Sequence, residues 1–142
     1  MIFTINDESL ALDVDFDIGI SYCYPRLIKE PLLSKPKLFL NFHPAPLPEY
    51  PGADPYSKGV FDQVTSWGVT CHHMTDEYDK GQIHRENRFE LGWPPHDRAE
   101  IGAIAHYEAY KLFKTVIKEL SYEPKDKVCS CGASLQGQRQ GL

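Results

Sequence analysis

The stretch KLFLNFHPAPLPEYPG, residues 37–52, limits the fold more than any other part of the chain. Its apolar run is strand-like, yet it closes on Asn41 and His43 and at once meets Pro44, Pro46 and Pro48. Proline fixes its own φ and has no N–H to give a ladder, so a central strand cannot pass Pro44. The chain must leave the sheet at His43 on a stiff, extended loop. Asn41 and His43 are two positions apart, so in extended backbone both side chains leave one face while Phe42 leaves the other. A buried strand that ends this way delivers two polar groups to one place.

The flanking sequence supplies a sheet for that strand. FDIGISYCY reads as a buried strand, with Ile18, Ile20 and Tyr22 as β-formers and Gly19 allowing close approach from above. RLIKEPLLS follows as a helical turn or loop. Asp54 is placed to cap a helix with Pro55 at its first position, and Val60, Phe61 and Val64 recur at helical spacing. WGVTCHHM is a third strand, TDEYDKG a tight acidic loop, and QIHRENRFEL an amphipathic strand near an edge. A last helix runs from the cap Asp97 to about Leu120, with Ile101, Ile104, Ala105, Leu112, Phe113, Val116 and Ile117 on one stripe. At the front, IFTIN suits a short strand and DESLALDVD a charged connector.

Strands alternating with helices imply an α/β fold: a mostly parallel, twisted sheet flanked by helices, one domain over residues 1–122, then a polar and flexible tail over 123–142. In such sheets ligands gather beyond the carboxyl ends of the strands. Asn41 and His43 close one strand and Asp79 follows the next, so all three are expected on one rim.

Composition excludes several functions. With 142 residues, 42% of them hydrophobic and 25% charged, the chain suits one globular domain. A net charge of −5 with scattered Lys and Arg gives no footprint for nucleic acid. No apolar run approaches the roughly 20 residues of a membrane span, and no basic-then-apolar leader opens the chain. A cytoplasmic setting is expected. The spacing of Cys23, Cys71, Cys129 and Cys131 fits neither a zinc site nor a disulfide framework. Cys23 and Cys71 read as reduced core residues, Cys129 and Cys131 as a C-x-C pair in the tail, and no metal is expected.

An amide beside an imidazole suits an acyl carbon under attack. The amide hydrogens hold a developing oxyanion and the imidazole donates to it or moves a proton. Asp79 near His43 would favour the imidazolium and orient the ring. The prolines would keep the loop rigid, so that the site is set before substrate arrives.

These pieces, NFHPAPLPEYPG and GVTCHHMTDEYDKGQI in that order, resemble the folate-dependent formyltransferase family. The resemblance runs from about Asp17 to Leu120. It implies transfer of a formyl group from 10-formyltetrahydrofolate, the co-substrate, to a primary amine, with Asn41, His43 and Asp79 as catalytic residues and His72 bracing the loop of Asp79. It also implies a folate pocket built from Tyr24, Pro25, Arg26, Leu27 and Ile28, from Thr75, Asp76, Glu77 and Tyr78, and from Leu47 on the wall.

The chain departs from the family in two ways. Ala45, Pro46 and Pro51 stand where the family's loop carries a serine, a leucine and a basic residue. Most of the N-terminal, nucleotide-binding-like half of the family's catalytic domain is missing. The FDIGISYCY strand should then lie near a sheet edge with unpaired backbone groups, covered by IFTIN or by a second copy of the chain. The missing half and the charge leave an amino-sugar nucleotide or a smaller amine as the expected acceptor. A 10-formyltetrahydrofolate hydrolase and a non-catalytic folate-binding or accessory protein are the alternatives.

Overall fold

The computed structural model of the chain describes residues 8–121. The expected IFTIN strand, the tail 123–142 and the Cys129/Cys131 pair lie outside the described residues. Four strands, β1 (Ile18–Tyr22), β2 (Leu38–His43), β3 (Ser66–His73) and β4 (Ile83–Glu90), form one sheet in the order β1-β2-β3-β4. Three helices accompany them: α1 (Glu8–Leu12), α2 (Pro55–Phe61) and α3 (Arg98–Ser121).

The α/β class holds, but the mostly parallel sheet does not. Only β1 and β2 run parallel, and β2–β3 and β3–β4 are antiparallel. For β3 and β4 the cause is connection length. A parallel crossover takes a dozen or more residues, and residues 74–82 between β3 and β4 are too few, so β4 folds back as a hairpin. Between β2 and β3, the proline loop and the short α2 turn the chain round at one end of the sheet.

That correction changes how the site is assembled. Leu40 pairs with His73 and His43 with Thr70, so the carboxyl ends of β2 and β3 lie at opposite ends of their ladder, not on one rim. Residues 74–82 instead leave β3 beside Leu40 and fold back over the sheet. Gly81 makes the fold-back possible: a Cβ there would sit 1.6 Å from the His73 carbonyl oxygen. The His73 N–H donates to the Gln82 carbonyl at 2.9 Å, closing the loop.

The main core lies between β2–β3 and α3. Leu40, Phe42, Trp67, Val69 and Cys71 meet Ile101, Ala105, Ala109, Leu112 and Val116, all essentially inaccessible to solvent. Asp97 starts α3 as expected, its Oδ1 accepting from the Ala99 and Glu100 N–H groups at 2.7 and 3.0 Å. Ile104 falls outside the buried stripe and is exposed. Asp54 caps α2 by accepting from the Ser57 N–H. Because α2 stops at Phe61, that ring points to solvent and does not join a helical stripe.

A smaller cluster, Ala11, Ile28 and Leu32 with Phe16, Tyr24, Phe39 and Met74 around it, forms a second core. The connector DESLALDVD is therefore partly helical, as α1, because Ala11 has apolar surface to cover. Phe39 is what approaches Gly19, where a Cβ would lie 2.8 Å from the ring. Among the described residues β1 is an edge strand, and its Ile18 and Tyr22 are exposed.

Candidate active site

The loop after β2 is fastened before it reaches the site. Trp67 Nε1 donates to the Pro44 carbonyl at 3.1 Å. Thr70 Oγ1 donates to the Ala45 carbonyl at 2.9 Å and accepts from the Leu47 N–H at 3.2 Å. Thr70 is fully buried and Ala45 and Leu47 nearly so, which makes these bonds costly to lose. Two groups at the far end of the loop are thereby positioned: the Tyr50 carbonyl and the N–H of Gly52, whose φ is +94°.

Each of them holds a site residue. The Tyr50 carbonyl lies 2.8 Å from His43 Nε2, so Nε2 carries the ring proton and donates. That leaves Nδ1 bare, 3.6 Å from Asp79 Oδ1. The Gly52 N–H donates to Asp79 Oδ2 at 2.8 Å. Asp79 Oδ1 also lies 3.3 Å from His72 Nε2, and Asp79 itself takes the left-handed conformation, φ +53°. Asn41 pairs with His72 across the strands, and its Nδ2 lies 3.1 Å from that ring's Nε2. Asn41, His43, His72 and Asp79 form one cluster on the sheet face away from α3.

Burial dominates the electrostatics. It pushes the His43 pKa below the ordinary imidazole value, outweighing the Tyr50 carbonyl and the Asp79 charge, which pull the other way. Asp79 favours the imidazolium, as expected, but burial outweighs it, and the Tyr50 carbonyl, which holds Nε2, shares in fixing the ring's orientation. For Asp79, burial alone would raise the carboxyl. The His72 hydrogen bond, the Gly52 N–H and the two imidazoles together hold it below the usual carboxylate range. The pair is a neutral base beside an ionised carboxylate.

The cluster forms the floor of a cleft of about 180 Å³. Tyr24, Pro25, Arg26 and Leu27 line one wall, and Thr75, Glu77 and Tyr78 line the other. Three expected pocket residues do not reach it. Ile28 turns into the second core, Leu47 is buried beneath the loop, and Asp76 is exposed outside the cleft lining. The guanidinium of Arg26 stands over the Tyr24 ring, 5.3 Å from its centre.

Several lining residues gave no sequence signal: Ser21, Met74, Tyr56 at the start of α2, and His106 on α3, whose Nε2 lies 3.3 Å from the Tyr56 hydroxyl. Cys23 was expected in the core. It sits instead on the cleft wall at the end of β1, in left-handed backbone with φ +49°, and burial raises its thiol to about 11. Tyr50 and Gly52 were missed because they act through backbone groups, which every residue carries. Among the described residues, no cluster of three or more His, Cys, Asp and Glu side chains is arranged to hold a metal ion.

Residues 5–116 match the Formyl transferase family. The chain belongs to that family. It is 33% identical over 89 residues to a methionyl-tRNA formyltransferase of Fervidobacterium nodosum, covering 61% of this chain and 28% of that protein. It is 29% identical over 101 residues to the bifunctional polymyxin resistance protein ArnA of Wigglesworthia glossinidia brevipalpis, covering 70% of this chain and 15% of ArnA. The phosphoribosylglycinamide formyltransferase of Streptococcus pneumoniae superposes with a TM-score of 0.69 at 29% identity, over 80% of this chain and 63% of that one. The chain thus spans less than a third of these two curated relatives and under two thirds of the solved one. The fold is that of the family, in mixed-sheet form. Among the described residues, no helix is long and apolar enough to cross a membrane.

Proposed function

We propose that the chain transfers a formyl group from 10-formyltetrahydrofolate to a primary amine, in the cleft floored by Asn41, His43 and Asp79. One observation carries this reading: the bare His43 Nδ1 and the ionised Asp79 Oδ1 lie 3.6 Å apart beside the amide of Asn41. The folate supplies the formyl carbon. That carbon leaves the folate nitrogen for the amine nitrogen, so the amine loses one proton and the folate nitrogen gains one. His43 Nδ1 and Asp79 are the acceptors within reach for the amine's proton. The Asn41 amide is suited to the negative charge that grows on the formyl oxygen. The backbone of residues 24–27 and 75–78 offers amide groups to a pterin edge, with Tyr24 and Leu27 as apolar wall.

Among the described residues Arg26 is the one Lys or Arg side chain lining the cleft, and it stands against Tyr24. Such a cleft suits an acceptor recognised through hydroxyls and aromatic contact, such as an amino sugar on a nucleotide, better than one gripped by phosphate. The test is to mix the protein with 10-formyltetrahydrofolate and follow loss of the formyl group with and without amines. Turnover that requires an amine supports transfer. Turnover without any amine replaces it with hydrolysis, and binding without turnover replaces it with an accessory role.

A partner also follows from the sheet. Asp17 O and Cys23 N bond to β2, so the alternate residues Ile18, Ile20 and Tyr22 turn their N–H and C=O groups outward at the open edge. A second copy laid antiparallel about Ile20 would match these groups and set Ile18 against the partner's Tyr22, a favourable β-branched–aromatic pair. We propose that homodimer. Light scattering at micromolar concentration tests it, and a monomer there removes it.

A further inference from the structure

Asn41 and His72 face each other across β2 and β3, and the ring of His72 has little freedom. Its Nδ1 lies 2.9 Å from the His73 carbonyl oxygen, which can only accept, so Nδ1 keeps its proton. Nε2 meets two groups of opposite kind: the Asn41 side-chain nitrogen at 3.1 Å, a donor, and Asp79 Oδ1 at 3.3 Å, an acceptor. A bare Nε2 accepts from Asn41 and has nothing to give Asp79. A protonated Nε2 donates to Asp79 and can no longer accept from an amide NH₂. At the other end of the same amide, Oδ1 is buried without a hydrogen-bond partner among the described residues. Buried amide oxygens are rarely left so. The unpaired end belongs to a residue that lines the cleft.

We propose that His72 is a positioning residue that sets which end of the Asn41 amide serves the cleft. With Nε2 bare, His72 holds the NH₂ group and the amide oxygen occupies the free end. With Nε2 protonated, the NH₂ group loses its acceptor and the amide turns over: its oxygen shares the Nε2 proton with Asp79 Oδ1, and its NH₂ moves to the free end. The titratable groups facing His72 are Asp79 and, through the shared Asp79 oxygen, His43. On the neighbouring strand β4 the residue opposite is Ile83, which carries no charge. The catalytic meaning rests on the formyl-transfer reading. An amide oxygen at the free end suits the N–H of an incoming amine, and an NH₂ there suits the formyl oxygen as its charge grows. The coupling itself belongs to the chain and needs no turnover.

Nuclear magnetic resonance on the ¹⁵N-labelled full chain reads both halves. The ring nitrogens of His72 and the side-chain amide of Asn41 are followed across the pH range over which the protein stays folded. The expected result is one shared midpoint for His72 Nε2 and the Asn41 amide, with the amide's pH response lost in His72→Gln and kept in His43→Gln. An amide indifferent to His72 protonation, or a response that survives His72→Gln, overturns the proposal. If His72→Gln does not fold, His43→Gln alone decides: loss of the response there assigns the coupling to the wrong ring. If the protein turns over formyl-folate, His72→Gln should remove from the kcat–pH profile the limb that coincides with the Asn41 midpoint and keep the limb of His43, while the KM for folate stays. A protein without formyl transfer but with the shared midpoint would sink the catalytic reading and leave the coupling standing.

Discussion

The two faces of the β2–β3 ladder come from the same residues taken alternately, and both are largely shut off from water. On the α3 side, Leu40, Phe42, Val69 and Cys71 make a dry apolar layer. On the other side Asn41, His43, Thr70 and His72 make a polar layer in which nearly every atom is paired. Depth therefore does not separate core from site here. What separates them is a cover: α3 closes one face with side chains, whereas two loops cover the other and leave a cleft. Low dielectric strengthens every hydrogen bond and charge in that polar layer, which is why the loops fasten Asp79 and His43 through backbone groups that do not stray.

The sharpest test of the contrast lies on the site face. His43→Ala or Asp79→Asn should lower formyl turnover by about 10²–10⁴-fold, the usual range for acid–base groups, while circular-dichroism melts keep a folded, cooperative transition. Unchanged rates in either variant would erase the functional half of the comparison. On the opposite face Phe42→Ala should cost about 3–5 kcal/mol in urea denaturation. The ring meets Tyr22 and Phe113 at centroid distances of 5.8 and 5.4 Å, and that packing would be lost. A cost near zero would mean that α3 is not what closes this layer.

Gly81→Ala probes the cover itself. The new methyl would collide with the His73 carbonyl, so the loop and Asp79 must shift together. Turnover should fall by roughly 10²-fold, as displacements near 1 Å can cost, with a smaller drop in melting temperature. Acid should distinguish the faces more gently. His43 has a folded pKa depressed below 6.5, so it binds a proton more readily when unfolded, and its share of stability is present above that value and lost as pH falls below it. Asp79, likewise depressed, adds a second loss below 3.8. His43→Gln should flatten the first limb of a pH-stability curve and leave the second. The least effect belongs outside both faces. Glu49→Gln removes an ion pair with Arg88 that is nearly half exposed, and should change the unfolding free energy by about 0–1 kcal/mol.

Much of this was legible in the sequence because it depends on local chemistry. The stop at Pro44, the caps Asp54 and Asp97, and the parity that puts Asn41 with His43 need only neighbouring residues, and all appear as read. The direction of β4 was legible in the tight loop TDEYDKG, too short to cross the sheet, whereas the direction of β3 was not, since the β2–β3 connection is long enough for either. Ile28 and Leu47 carry the same apolar signal whether they line a pocket or fill a core. The tether from the Tyr50 carbonyl to His43 leaves no trace in residue type at all. His72 was expected beside the loop of Asp79 and lies there, but its place opposite Asn41 follows only once β2 and β3 are antiparallel.

The pairing of Asn41 with His72 has one more consequence. Strand side chains alternate with a period of two, so a slip of one residue between β2 and β3 would turn a whole set of them over. Such a misthreaded chain would bury an imidazole under α3 and offer Phe42 to the cleft. Refolded material can therefore be graded by its chemistry: the fraction of molecules able to use formyl-folate would count those whose two middle strands zipped in step, even where spectra report the same amount of sheet.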